Sequence, residues 1–186
     1  MAKIFLGIDV GGTKTKIAVL KSFTKHKPVF YDKETPKDIG EFLLMLQGLI
    51  REASGKNKIA SIGIALPGVV NVKKGTLTQC HNLPFLDGWN AVKFLKKFSN
   101  KVAVDNDSRA FLLAEMSWGK LKKYKNVAGL TIGTGIGGGI GINGKLYYGA
   151  NDAAGELGKM VIDVGDNGQT LEKLANKSTK LSLSDR

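Results

Sequence analysis

A single cysteine, Cys80, stands in a chain of 186 residues. One thiol excludes a disulfide within the chain and a zinc site built from clustered cysteines, and it reads as a structural side chain rather than a reactive one. Long apolar runs are missing as well. Each is soon interrupted by Gly, Lys or Asp, so no segment reads as a membrane span. The opening MAKIFLGIDV passes straight into a strand pattern with no cleavage signature behind it, which gives a cytoplasmic location as the expectation. Acidic residues are few, 16 against 28 Lys and Arg, for a net charge of +12. That excess raises nucleic acid as a partner, but the lysines are scattered along the sequence. No zinc-finger, homeodomain or RNA-recognition motif accompanies them, so no specific nucleic-acid reader is expected.

Glycine, by contrast, is plentiful. Nine of the 24 glycines fall within GLTIGTGIGGGIGINGKLYYG, residues 129–149. The remaining composition, 42% hydrophobic and 24% charged, suffices for one good core or two small ones.

Alternation of Ile4, Leu6 and Ile8 before Gly11-Gly12, and of Ile17 and Val19 after it, predicts a strand, a glycine turn and a returning strand. KPVFYDKE predicts a third strand. Thr35, Pro36 and Asp38 then supply an N-cap, a first-turn proline and an acidic third position for a helix with Phe42, Met45, Leu46, Leu49 and Ile50 on one face. KIASIGIALPG reads as a buried strand ending in a turn. WNAVKFLKKF reads as an amphipathic helix with Val92, Leu95 and Phe98 inward. Val102 to Val104 predict a further strand, running into Asp105-Asn106-Asp107-Ser108, which suits the cap of a helix reaching Gly119.

From residue 119 the pattern begins again. Leu6, Ile8 and Gly11 have counterparts in Leu130, Ile132 and Gly135 at a constant offset, an internal repeat of strand, glycine turn and strand. The expected organisation is a first lobe over residues 1–118, an incomplete second lobe over 119–177 with a weak helix around Thr170 to Asn176, and a disordered polar tail over 178–186.

GTGIGG contains G-x-G-x-x-G at Gly133, Gly135 and Gly138, but a dinucleotide fingerprint must open a helix. Here strand residues resume around Asn143-Gly144, a favoured two-residue hairpin turn, and no P-loop motif is present. A tight glycine hairpin can still bind phosphate, because consecutive backbone N–H groups form an anion-holding concavity with no Cβ in the way. Thr134 adds a hydroxyl. The first turn adds Asp9, Thr13 and Lys14, and a strand-end carboxylate beside a phosphate nest is where a hydrated magnesium ion would be held. Two such hairpins suggest a nucleotide clasped between two lobes.

DVGGTKTKIAVL, GIALPGVV, HNLPFLDGW, VDNDSRAFLLAE, LTIGTGIGGGIGINGKL and AAGELGKMVID occur in the order and rough spacing of the ROK family of sugar kinases and related repressors. The chain resembles that family over about residues 3 to 176. The resemblance implies an α/β, actin-like ATPase (ribonuclease H-like) fold with one complete βββαβαβα lobe and the beginning of a second. It implies transfer of the ATP γ-phosphate to a hexose or an N-acylhexosamine, with inorganic polyphosphate as the other donor found in the family. By similarity Asp9 would place Mg²⁺, with Gly11, Gly12, Thr13 and Lys14 along the phosphate path and Gly133, Thr134 and Gly135 in the opposing loop. A plain surface lysine is the alternative for Lys14. Asn106-Asp107 corresponds to the family's Asn-Asp pair, making Asp107 the base for the attacking hydroxyl, a role compatible with capping the following helix. Gly68, Asn82, Asn106 and Glu156 are the expected sugar-side positions. Glu172 resembles a further sugar-binding glutamate, with a helical surface residue equally open.

Many family members follow Gly-Glu-x-Gly with a zinc-binding histidine and a cysteine cluster. This sequence has Lys159 there, so zinc is expected absent, and Lys159 is read as a donor to a sugar hydroxyl or an acidic neighbour. Family chains also continue past this point, so the second lobe is expected to need a second copy or another partner over its sheet edge. A non-catalytic, sugar-sensing relative is the alternative to a kinase. The repressor reading fits poorly, since the strand pattern begins at Lys3 and no winged helix precedes it.

Overall fold

Residues 2–21, 27–133, 135–163 and 168–173 are described in a computed structural model. Thr134, residues 174–176 of the expected last helix and the expected tail over 178–186 lie outside them. Internal contacts divide the chain into Met1–Asp107 and Ser108–Arg186. The division therefore falls at the start of a helix rather than near residue 118.

In the first unit, β1 (Lys3–Val10) and β2 (Lys14–Leu20) form the expected hairpin, and β3 (Val29–Glu34) pairs antiparallel with β2. Helix α1 (Ile39–Ser54) returns the chain to β4 (Lys58–Leu66), which lies parallel to β1. β7 (Val102–Asn106) lies parallel to β4, completing the order β3-β2-β1-β4-β7. Ile4, Leu6, Ile8 and Val10 of β1 are buried together with Phe42, Leu46, Leu49 and Ile50 of α1, the apolar face that the helical spacing predicted. The cap is different. Asp38, not Thr35, is the N-cap, its carboxylate accepting from Glu41 N at 3.0 Å. Thr35 is buried and is used elsewhere, because it ends β3 beside the first glycine turn.

Between β4 and β7 the chain forms a hairpin that the sequence reading passed over, β5 (Val69–Asn71) with β6 (Thr76–Gln79), and then the short helix α2 (Ala91–Leu95). Ala91, Phe94 and Leu95 are its buried residues, while Val92 and Phe98 are only partly covered. Trp89 joins the layers, with its ring centroid 5.4 Å from Phe42 and 5.9 Å from Phe94.

The second unit takes all but the first residue of α3 (Asp107–Ser117). β8 (Val127–Ile132), β9 (Ile136–Ile142) and β10 (Lys145–Leu146) make an antiparallel ribbon, and β11 (Val161–Asp163) pairs with β12 (Gln169–Thr170). Asn143 and Gly144 have φ of 54° and 76°, both left-handed as the Asn-Gly turn requires. Most of the glycine run serves packing. A Cβ on Gly129 or Gly139 would meet Leu112 at 3.0 Å, one on Gly141 would meet Met116 at 2.8 Å, and one on Gly137 would collide with Ser108. The missing side chains let α3 lie directly on the ribbon. On its other side Gly138 faces the carbonyl of Gly155, 2.6 Å from where a Cβ would stand.

Candidate active site

Strand register assembles the first unit's polar residues. Asp9 is level with Ala65 of β4, and Ala65 with Asp105 of β7, so Asp9 and the Asp105-Asn106-Asp107 sequence share the carboxyl end of three parallel strands. That end is where open α/β sheets bind ligands, because the chain leaves the strands there in loops free to present polar groups. β7 passes into α3 with no connecting residue, so Asp107 opens the helix directly after Asn106.

Asn106 is 6% exposed and its amide Nδ2 donates to Gly68 O at 3.0 Å. Gly68 has φ 86°, and a Cβ there would strike the carbonyl of Gln79, so this turn admits glycine alone. The expected sugar-side positions Asn106 and Gly68 are thus in direct contact. Asn82 stands by the first glycine turn, its Cβ 3.9 Å from where a Cβ on Gly12 would be. Buried Cys80 fixes the same loop through its backbone N–H, which donates to Asp87 Oδ1 at 2.7 Å. Burial pushes its thiol pKa up, the response of an inert thiol.

The turn between β1 and β2 is braced from below. Gly11 N donates to Lys14 O at 3.0 Å, and Thr35 Oγ donates to Gly11 O at 2.8 Å. The hydroxyls of buried Thr15 and Thr35 are 3.0 Å apart. Gly12 and Thr13 remain exposed at the tip. Lys14 turns outward: its Nζ donates to Asp32 Oδ2 at 2.8 Å across the β2–β3 pair, which raises the lysine pKa and lowers that of the aspartate. The surface reading of Lys14 fits this placement better than the phosphate-facing one.

Asp9 carries the perturbed carboxyl of the site. Loss of hydration raises its pKa, repulsion from Asp107 raises it further, and Lys16 opposes both. Its residue surface remains exposed, so only part of the carboxyl's hydration is lost. Two carboxylates repelling each other beside a glycine turn make a fit for a divalent cation held by one or two carboxylates plus phosphate oxygens. A cage made wholly of protein is not available, since no three His, Cys, Asp or Glu side chains cluster among the described residues.

In the second unit, Gly133 N donates to Gly135 O at 3.0 Å. Glu172 lies against Gly135, its carboxylate occupying the place a Cβ would take. Glu156 and Lys159 are brought together as an ion pair, Nζ to Oε2 at 3.6 Å, at the one-turn helix Leu157–Lys159. Of the two acceptors expected for Lys159, a sugar hydroxyl or an acidic neighbour, Glu156 is an acidic group within ion-pair distance.

Sequence reasoning missed Arg109. It is 2% exposed, donates from Nη1 to Asp152 O at 2.6 Å and stacks its guanidinium 5.2 Å from the Tyr148 ring centroid. It thereby ties α3 to the loop that leads to Glu156. Its spacing held a signal: Ser108, Arg109 and Leu112 form the buried side of α3, a helix face on which an arginine must be paired.

A family model described as the ROK family matches residues 5–173. N-acetylgalactosamine kinase AgaK of Shewanella sp. (strain ANA-3) is 36% identical over 157 residues, 83% of this chain and 50% of that protein. N-acetyl-D-glucosamine kinase of Haemophilus influenzae (strain 86-028NP) is 33% identical over 165 residues, 86% and 53% of the two chains. The crystal structure of a ROK family glucokinase from Streptomyces griseus, in complex with glucose and AMPPNP, matches with a TM-score of 0.75 at 26% identity, covering 86% of this chain and 51% of that one. The chain spans about half the length of the curated relatives it matches. The strand order and mixed sheet are those of part of an actin-like ATPase fold. A match running from the first strand to the last described turn, with the glycine hairpin and the Asn106-Asp107 junction within it, makes this chain a member of the ROK family.

Proposed function

We propose that this chain carries the sugar-binding and base-bearing part of an ATP-dependent sugar kinase, acting on a hexose or an N-acylhexosamine. The observation that carries the reading is the convergence of Asp9, Asn106 and Asp107 at the carboxyl ends of β1 and β7, with the Gly68 and Asn82 loops beside them. The names of the relatives favour the N-acylhexosamine.

Phosphoryl transfer asks the protein for positioning and charge compensation more than for covalent chemistry. Asn106, Gly68, Asn82 and Glu156 would hold the sugar. Asp107 accepts the proton of the attacking hydroxyl as that oxygen bonds to the γ-phosphorus and the bridging oxygen leaves with ADP. Gly12 and Thr13 would offer backbone N–H groups and a hydroxyl to the phosphates, with Gly11 shaping their turn, and Gly133, Thr134 and Gly135 would form a second phosphate loop. Mg²⁺ placed by Asp9 would neutralise charge on the phosphate oxygens. Inorganic polyphosphate is the alternative donor, and no zinc is assigned a role because Lys159 replaces the ligand histidine.

The test is sugar-dependent ADP release by the purified chain, with Asp107→Asn alongside. Loss of about two to four orders of magnitude in the variant is expected for removal of a general base. Equal activity in both would remove Asp107 from that role. One observation favours a second reading, a non-catalytic sugar sensor: Glu172 sets a negative charge against Gly135, where a phosphate loop needs none. Calorimetry decides between them, since sugar binding without turnover belongs to the sensor.

A further inference from the structure

Lysines that are scattered along the sequence are gathered by the fold. A hollow of about 810 Å³ lies between the β5–β6 turn, α2 and the outer edge of β7, rimmed by Lys73, Lys74, Lys93 and Lys96. A second hollow of about 600 Å³ shares Lys96 and Asn100 with it and adds Lys3, Lys58, Lys97 and Lys101. Among the described residues, no Asp or Glu lines either hollow. All eight lysines are exposed, and among the described residues none forms an ion pair. Like charges left uncompensated around a concavity repel one another, so the arrangement is stabilised by an anion from outside.

The backbone beneath the rim is fixed. Asn90 joins its two sides, its Oδ1 accepting from Lys93 N at 2.7 Å and its Nδ2 donating to Lys74 O at 3.1 Å. Asn71 Oδ1 accepts from Lys74 N at 2.9 Å, and Ser99 Oγ accepts from Lys101 N at 3.2 Å. Lys3, Lys58 and Lys101 stand at the amino ends of β1, β4 and β7. Asp9 is at the other end of β1, about 20 Å away at the rise of an extended strand. The second hollow is therefore separate from the candidate active site, while the first reaches Val104 of β7, two residues before Asn106.

We infer that these two joined hollows bind a linear chain of phosphates, the backbone of a single-stranded nucleic acid or inorganic polyphosphate. Concavity selects a chain over a flat lipid surface. Among the described residues, none of the exposed large hydrophobic side chains lines either hollow, so they offer nothing for a membrane or an apolar protein anchor to hold. Lysine ammonium groups follow phosphates as point charges, and among the described residues no exposed aromatic lines either hollow to stack a base. Phe98, the one aromatic among the described lining residues, packs on Phe94 at 6.0 Å. Binding is accordingly independent of base sequence, in keeping with the absence of any nucleic-acid reading motif.

Fluorescence anisotropy with a labelled oligothymidylate of about twelve nucleotides, and with polyphosphate of similar charge as competitor, measures this directly. The expected result is binding at roughly 50 mM salt that weakens with a log–log slope of about −0.7 per phosphate contacted. Replacing Lys58, Lys96, Lys97 and Lys101 by Gln lowers the affinity at least about tenfold and flattens the slope by up to about 3. The control, Lys120, Lys122, Lys123 and Lys125 all to Gln, has the same net charge and keeps both. Displacement by polyphosphate well below the oligonucleotide's own concentration range identifies polyphosphate as the source of the chain, and the reverse identifies nucleic acid. Absence of binding to either, equal loss in both quadruple variants, or binding confined to phosphatidylserine vesicles would overturn the proposal. No sugar and no turnover enters the readout, so its outcome is independent of the kinase reading.

Discussion

Leu6 and Ile8 in β1 stand at the same points of a strand entering a glycine turn as Leu130 and Ile132 in β8, yet the first pair is 3% and 2% exposed and the second 49% and 82%. The difference lies in which face a helix covers. α1 lies on the apolar row of β1, whereas α3 lies on the glycine row of the β8–β9 ribbon, where Leu112 meets Gly129 and Gly139. Alternation tells which residues share a face of a strand, because successive side chains point to opposite sides. It does not tell which face receives the helix. In the second hairpin the row of missing side chains is the better guide, since a helix axis approaches most closely where no Cβ intervenes.

The largest test of the comparison is to truncate matching positions. Leu6→Ala is expected to cost about 2–5 kcal/mol, the transfer free energy of a buried leucine plus the cavity it leaves. Leu130→Ala should stay within about 0.5 kcal/mol. Urea unfolding read by both fluorescence and circular dichroism measures the pair, and similar losses would mean that the two faces are equally covered. A second test adds a methyl group instead. Gly138→Ala drives a Cβ to 2.6 Å from the Gly155 carbonyl and is expected to lose about 1–3 kcal/mol. Gly63→Ala meets nothing within 4 Å and should be neutral or stabilising by up to about 1 kcal/mol.

The smallest expected effect concerns charge. Asp9 has Gly133 as its counterpart in the repeat, so at this position the first hairpin carries a carboxylate on its own strand and the second carries none. Because the folded state raises the Asp9 pKa above 3.8, it favours the protonated form. Folding stability is then fullest below the ordinary carboxylate range and declines as pH rises through that range to the raised value, above which the penalty is constant. Asp9→Asn should therefore raise the melting temperature of the ligand-free protein at neutral pH, with the gain vanishing toward pH 3. A gain of equal size at both pH values would mean that the charge is not its source.

Much of the first unit was legible in the sequence because its signals are local: the strands around Gly11-Gly12, the apolar face of α1, and the run from β7 into α3. Thr35 was misassigned since a threonine before Pro36 carries the marks of a cap, and only the pairing of β3 with β2 reveals its nearer task. The β5–β6 hairpin was missed although Val70, Val72 and Leu77 flank Gly75, whose φ is 72°. Asp9, Asn106 and Gly68 were found as separate motifs, but their adjacency rests on register between strands far apart in sequence. Arg109 escaped because a charged residue within a helix usually reads as solvated, and its carbonyl partner lies 43 positions away.

The hydroxyl ladder from Thr15 through Thr35 to the Gly11 carbonyl has a consequence for assembly. A peptide ending at Leu20 holds both arms of the first hairpin and lacks the group that seats its bend. That bend is finished only when β3 docks, so transplanting it to another scaffold requires the third strand as well as the glycines.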